Sequence, residues 1–324
     1  MKRMSYVGRF GLLALVVFSL TFPASAQVGL RNALDFDGDG RADYYIWGIL
    51  DSTWYIRTEN DTNFVHPFGD IAIPEFPSPG DYDGDGKGEM AVFNDSTGVW
   101  TLRESSTGAV VTKVFGQLFD IPVARDYDGD GKTDIAVIRD PDPFTTGNTL
   151  EWRVLPSDGP GETVQPWGLD THFVAPGDYD GDGRFDLAVY HPNGGNTNFD
   201  IQYSAGGTVT IQLTGNDFTD ASNPGDYDGD GKTDAALTRE GPGSTVLWVI
   251  KRSSDGAEVT FTWGNIFSDF IVQNDYNGDG RTELAVWRLT DAKFYIMDAV
   301  DSSVNQVPWG IPNDVPVAAY DTHP

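Results

Sequence analysis

Asp126-Tyr127-Asp128-Gly129-Asp130-Gly131-Lys132-Thr133-Asp134 places carboxylates at positions 1, 3, 5 and 9 of a nine-residue run. Calcium takes about six to eight oxygen ligands in a flexible cage, and a tight loop can supply them from alternate positions. Asp126, Asp128 and Asp130 converge only if the backbone curls sharply between them. Gly129 and Gly131 permit that curl because glycine accepts positive φ without a Cβ clash. At position 7 Lys132 would offer its backbone carbonyl while its ammonium points to solvent, and Asp134 at position 9 would close the cage.

The run recurs six times in the pattern D-[FY]-[DN]-G-D-G-[KR]-x-[DE]. Positions 1, 3 and 5 of the other copies are Asp35, Asp37, Asp39; Asp81, Asp83, Asp85; Asp178, Asp180, Asp182; Asp226, Asp228, Asp230; and Asp275, Asn277, Asp279. Position 7 is Arg41, Lys87, Arg184, Lys232 or Arg281, again through the carbonyl, and position 9 is Asp43, Glu89, Asp186, Asp234 or Glu283. Asp-Gly runs also make ordinary turns, but six copies with intact alternation point to calcium loops, one ion in each. Asn277 keeps a carbonyl oxygen and loses a charge, so the sixth site should bind more weakly. An EF-hand would carry a bidentate Glu at position 12 between two helices. Position 12 here is Ile46, Val92, Val137, Val189, Leu237 or Val286, so the chain has already become an apolar strand.

The loop starts lie 46, 45, 52, 48 and 49 residues apart, a period that suits one four-stranded propeller blade. Each loop leads directly into an apolar strand, such as Ile135 to Ile138. A second strand follows, with an aromatic residue and an aliphatic one two positions on: Trp54/Ile56, Trp100/Leu102, Trp152/Val154, Phe199/Ile201, Trp248/Ile250 and Phe294/Ile296. That spacing marks a strand with one buried face. A third strand ends in aromatic-Gly at Gly69, Gly116, Gly168, Gly264 and Gly310, whereas the fourth unit reads Leu213-Thr214-Gly215. The segment between that glycine and the next loop, such as Asp120 to Arg125, is the strand leading into the loop. No stretch has a helical pattern.

These landmarks resemble the FG-GAP/VCBS-type repeat of integrin-α-like β-propellers, and the resemblance covers essentially all of residues 27–324. It implies that the loop joins the inner two strands of a blade and holds calcium at one face of the ring, at all six loops here. Propellers of that family commonly have seven blades. Six are favoured here, with Val315 to Ala319 as a closing strand near the N-terminus and Leu30 to Leu34 as a weaker candidate for the same role. A seventh blade, truncated or supplied by a second chain, is the alternative. The expected fold class is therefore an all-β propeller of four-stranded blades in a single domain, residues 27–324.

Lys2, Arg3 and Arg9 precede an apolar run from Phe10 to Phe22 and then Ala24-Ser25-Ala26, which reads as a secretory signal peptide over residues 1–26. The expected location is secreted or at a cell surface, with no transmembrane segment. With no cysteine, the chain has neither disulfides nor a lipidated-cysteine anchor. The formal charge of −28 becomes −31 without the leader, and the six loops hold 23 of the 49 acids. Even with six calcium ions the balance stays negative, which argues against nucleic acid and anionic membranes as partners.

Most aromatic residues recur at equivalent positions, the behaviour of packing between blades. Phe144, Tyr203 and Tyr295 depart from that rule without making a site. His66, His172, His191 and His323 fall on unrelated repeat positions with no metal-ligand spacing. No nucleophile elbow, P-loop or zinc-protease motif is present. Asn60 and Asn94 each begin a glycosylation sequon. Two segments interrupt the repeat, Arg139 to Leu150 and His191 to Asn196, and loops on a rigid scaffold are where recognition concentrates. The reading is a monomeric, non-enzymatic adhesion or recognition module for an extracellular glycan or protein, with structural calcium. The alternatives are a calcium-dependent polysaccharide lyase or a purely structural envelope or matrix component. Arg57, Arg103, Arg153 and Lys251 recur at equivalent positions, more like surface decoration than a catalytic cleft.

Overall fold

The apolar run after each loop forms a deeply buried stretch of its sheet. In the computed structural model, which describes residues 31–48, 50–69, 75–159, 161–216, 220–312 and 314–317, these runs are Tyr44–Gly48, Met90–Asn94, Ile135–Arg139, Leu187–Asn193, Ala235–Glu240 and Leu284–Arg288. Each lies second in a four-stranded antiparallel sheet. Tyr44–Gly48 and Met90–Asn94 are buried at every position. A strand covered on both faces reads as a continuous apolar run. The third strands, such as Val99–Arg103, alternate between buried and half-buried, and the outer strands, such as Val110–Val114, are mostly exposed. Burial therefore falls from the second strand outwards, and the pattern changes in step, from continuous to alternating to mostly exposed.

Six such sheets make a six-bladed β-propeller. The calcium-type loop joins the first strand to the second, as expected, so the turns joining second to third strands lie at the opposite face. Hydrophobic clusters bridge the blades: one joins residues of blades 6, 1 and 2, and four others join blades 2 with 3, 3 with 4, 4 with 5, and 5 with 6. The aromatic/aliphatic pairs of all six third strands are buried. Trp100, Trp152 and Trp248 each donate an indole hydrogen bond to the carbonyl of the aromatic residue before the repeat glycine, at 2.7, 3.0 and 2.9 Å. A buried indole N–H needs such a partner. In the irregular fourth unit the third-strand aromatic is Phe199, which has no N–H to satisfy, and Leu213 is fully buried. Trp167, Trp263 and Trp309 reach across to the third strand of the next blade, donating to the carbonyls of Asp200, Tyr295 and Tyr55.

Ring closure differs in detail from the sequence reading. Val315–Pro316 pairs antiparallel with Trp47 and Ile46, and Val317 N–H donates to Tyr45 O at 3.0 Å. The C-terminal segment is thus the first strand of blade 1. Arg31–Leu34, however, is a 3-10 turn rather than a strand. Its contribution is the Leu34 carbonyl, which accepts from Asp43 N–H at 2.6 Å, as Gly80 O accepts from Glu89 N–H in blade 2. The two termini therefore share one strand position. The expected signal peptide, residues 1–26, and the degenerate loop position at Tyr320 to Pro324 lie outside the described residues.

Candidate metal centre

The third loop illustrates how each copy is built. Gly129 and Gly131 have φ of +78° and +85°, the left-handed conformation that only glycine adopts at little cost. That curl lets Asp126 cap the loop's own amides: Oδ1 accepts from Gly129 N–H at 2.6 Å and Oδ2 from Gly131 N–H at 2.9 Å. Asp128 Oδ1 accepts from Asp130 N–H, and Asp130 Oδ1 from Lys132 N–H. Asp134 is fully buried and returns to the start of the loop, where Oδ2 accepts from Tyr127 N–H at 2.9 Å. Oxygens of Asp126, Asp128 and Asp134 lie within 4.8 Å of one another.

The same convergence joins Asp35, Asp37 and Asp39; Asp81, Asp83, Asp85 and Glu89; Asp178, Asp180 and Asp186; and Asp226, Asp228 and Asp230. The sixth loop keeps the brace, with Asp275 Oδ1 and Oδ2 accepting from Gly278 and Gly280 at 2.6 and 2.9 Å. There Asn277 Nδ2 donates to Glu283 Oε1 at 2.7 Å, leaving Asn277 Oδ1 to accept from Asp279 N–H. Position 3 still presents a carbonyl oxygen, but one oxygen of Glu283 is engaged by the amide.

Position 2 of the motif has a structural cause. Tyr82, Tyr127, Tyr179, Tyr227 and Tyr276 donate their hydroxyls to the carbonyl four residues earlier, immediately after their own first strand. Loop 1 has Phe36 instead, and there the first strand comes from the other end of the chain. A second layer was missed by sequence reasoning. Serines three residues beyond the aliphatic member of each third-strand pair cap loops 2 to 5: Ser105, Ser157, Ser204 and Ser253 N–H donate to the position-9 carboxylate. The signal was the recurrence of Ser in four units, with Glu59 and Ala299 at that place in the other two.

Burial dominates the electrostatics of the position-9 carboxylates. It raises Glu89, Asp134, Asp186 and Asp234 to about 7, Asp43 to about 8 and Glu283 to about 9, against the pull of backbone hydrogen bonds and with the help of neighbouring carboxylates. Burial likewise raises Asp81 at position 1 to about 6. Within the described loops, Asp43 Oδ1 and Asp228 Oδ1 are shielded from solvent and accept no hydrogen bond. Oxygen-only donors, crowded negative charge and unused buried lone pairs fit a hard divalent cation, and the number of carboxylates fits calcium better than the water-retaining magnesium ion.

The opposite face holds the repeat's irregularities. The third blade's second and third strands are joined by the long loop 140–148, where Gly147 N–H donates to Asp170 and Phe144 is 73% exposed. The segment His191 to Asn196, by contrast, is no irregular insert. His191 to Asn193 pair in register with Asn198 to Asn196, around a Gly194-Gly195 turn with φ of +59° and +91°, the positive pair that a tight type I′ hairpin requires. Of the sequons, Asn60 is exposed, whereas Asn94 is buried and accepts from the amides of Ser96 and Thr97.

His172 and His191 also need correcting, because they occupy matched repeat positions. Where blades 3 and 6 place the bidentate pairs Arg139–Asp120 and Arg288–Asp269, and blade 5 Arg239–Asp220, blade 4 stacks two imidazoles with centroids 4.1 Å apart. His191 Nε2 meets Asp200 Oδ2 at 2.9 Å. Burial and then His191 lower the pKa of His172, against Asp200 and Asp170. A histidine lowered in this way contributes stability that is present above its unfolded pKa of about 6.5 and is lost as pH falls through the folded value. Replacing the pair together, His172→Asp with His191→Arg, should raise the melting temperature at pH 5 by a few degrees relative to the native chain and by less at pH 8. Scanning calorimetry at both pH values checks this, and an equal shift at both would mean that protonation of His172 does not carry the difference.

No helix among the described residues is long and apolar enough to cross a membrane. Residues 126–189, from the third loop into the second strand of blade 4, match the family model of the FG-GAP-like repeat. None of the curated proteins compared with the chain matches it. That match, together with the recurrence of the same loop and four-stranded sheet in all six blades, supports an FG-GAP repeat β-propeller.

Proposed function

We propose that this chain is an exported, calcium-stabilised recognition scaffold that holds its ligand, a surface glycan or protein, without chemistry. The observation that carries the reading is the repetition of one oxygen-lined carboxylate cluster from loop to loop around the ring. A metal used for catalysis would need one site unlike the rest, with an open position for substrate. The long 140–148 loop and exposed Phe144 make the face opposite the calcium loops the better candidate for ligand contact. Two of the four recurring cations are occupied locally: Arg57 donates to Pro308 O, and Arg153 pairs with Glu151 and Glu162. Bound calcium also offers a cysteine-free exported chain the staple that disulfides would otherwise provide.

The test is to incubate protein lacking residues 1–26 with a panel of plant, microbial and animal polysaccharides, in calcium and in chelator. Retention and the appearance of unsaturated or reducing ends are followed together. Calcium-dependent retention without new ends is expected. New ends that require calcium would overturn the non-enzymatic reading in favour of a lyase.

A further inference from the structure

The six loops are joined to one another by a cycle of backbone hydrogen bonds. In every case the position-8 N–H of one loop donates to the position-1 carbonyl of the preceding loop, at 2.6–2.8 Å. Thr133 of loop 3 grips Asp81 of loop 2, Phe185 of loop 4 grips Asp126 of loop 3, and Ala42 of loop 1 closes the cycle on Asp275 of loop 6.

The position-8 N–H and the position-7 carbonyl belong to one planar peptide unit. The Lys132–Thr133 unit would therefore present C=O to the metal of loop 3 and N–H to the carbonyl of Asp81. The relay continues one step. The Asp81–Tyr82 unit accepts at its carbonyl and donates its N–H to Glu89 Oε2 at 2.5 Å, and Glu89 is the position-9 carboxylate of loop 2. Position 2 donates to position 9 in all six loops, at 2.5–3.0 Å. A cation on the first carbonyl polarises its peptide, and hydrogen bonds in series strengthen one another. The position-7 side chain adds a steric clasp: a Cβ built on the position-4 glycine of each preceding loop would lie 2.8–3.2 Å from its stem. The buried, unpartnered Oδ1 of Asp43 in loop 1 independently indicates that these loops are made to receive a cation.

We infer that calcium sites in neighbouring blades are coupled, each loop being completed by the loop that follows it, so that emptying one weakens its predecessor. This inference rests on the calcium reading given above.

The experiment counts bound calcium by equilibrium dialysis against a series of free calcium concentrations, for the native chain and for Asp128→Ala in loop 3. Coupling predicts that the variant loses more than one ion at a free calcium that just saturates the native protein. Loss of a single ion, with the remaining sites unshifted, overturns the coupling. A native chain that binds no calcium overturns the underlying reading instead. Should Asp128→Ala fail to fold, Asp128→Asn copies what loop 6 already carries at Asn277. Its binding curve is expected to shift at more than one site, and a shift confined to one site overturns the proposal.

Discussion

Protein freed of calcium should melt at a higher temperature at pH 5 than at pH 8, while calcium-loaded protein should do the reverse. The position-9 carboxylates carry the argument. Burial first, and neighbouring carboxylates after it, raise Asp134, Asp186 and Asp234 to about 7, Asp43 to about 8 and Glu283 to about 9. In an unfolded chain they titrate near the usual carboxylate value of about 4. Without metal the folded state therefore holds protons that the unfolded state has released. Their contribution to stability is complete below about pH 4 and is lost as pH rises through 7 to 9. Calcium binds the deprotonated carboxylates, so with metal present the loss becomes a gain and protons compete with the ion.

The expected separation is large. A site filled at a hundredfold excess over its Kd adds about 2.7 kcal/mol, and several such sites rival the ~5–15 kcal/mol stability of a typical domain. At pH 8 the calcium-loaded protein should melt on the order of 20 °C above the metal-free form, with the gap closing towards pH 5. Calorimetry on resin-stripped protein, with and without added calcium, decides the matter, and parallel curves would show that the loops bind no metal. Asp128→Ala should lower the melting temperature in calcium and leave it nearly unchanged in chelator. Equal destabilisation in both would assign Asp128 a role in bracing the loop alone.

What could be read without coordinates was what the chain encodes locally. Asp126 to Asp134 contains its own turn chemistry, and Trp152/Val154 its own strand period, so the loops, the blades and their number were legible. Contacts that join one loop to the next, or neighbouring strands within a blade, were not. Thr133 reaches Asp81 and His172 meets His191 only once strands pair in register, and no local spacing specifies that register. Position 8 also varies through Ala, Gly, Thr and Phe, because its contribution to the ring is a backbone amide that every one of these residues supplies. A device made from backbone leaves little trace in side-chain identity. The tight hairpin at Gly194-Gly195 was mistaken for an insert for a related reason: Asn and His suit loops, and only pairing with Asn196 to Asn198 makes them a strand.

Removing residues 311–324 should open the ring. The strand that this deletion exposes, Tyr44–Gly48, is buried along its whole length, and among the described residues its inner edge is covered by Val315–Pro316 and the Val317 amide. An uncovered edge beside an apolar face leaves backbone groups unpaired and invites other chains to pair with it. Val317 also belongs to the core cluster that includes Tyr45, Trp287 and Val307. The indole bond from Trp309 to Tyr55 O and the bond from Arg57 to Pro308 O lie upstream of the cut, so the loss isolates the closing strand. The shortened chain should melt on the order of 10 °C lower and associate with concentration, and a peptide of residues 311–324 added in trans should reverse both. Val317→Asp provides a full-length version, since an unpaired charge in that core should cost about 3 kcal/mol. If the shortened chain kept its native melting temperature and stayed monomeric, closure would have to come from packing between blades 6 and 1, and the paired termini would be incidental to it.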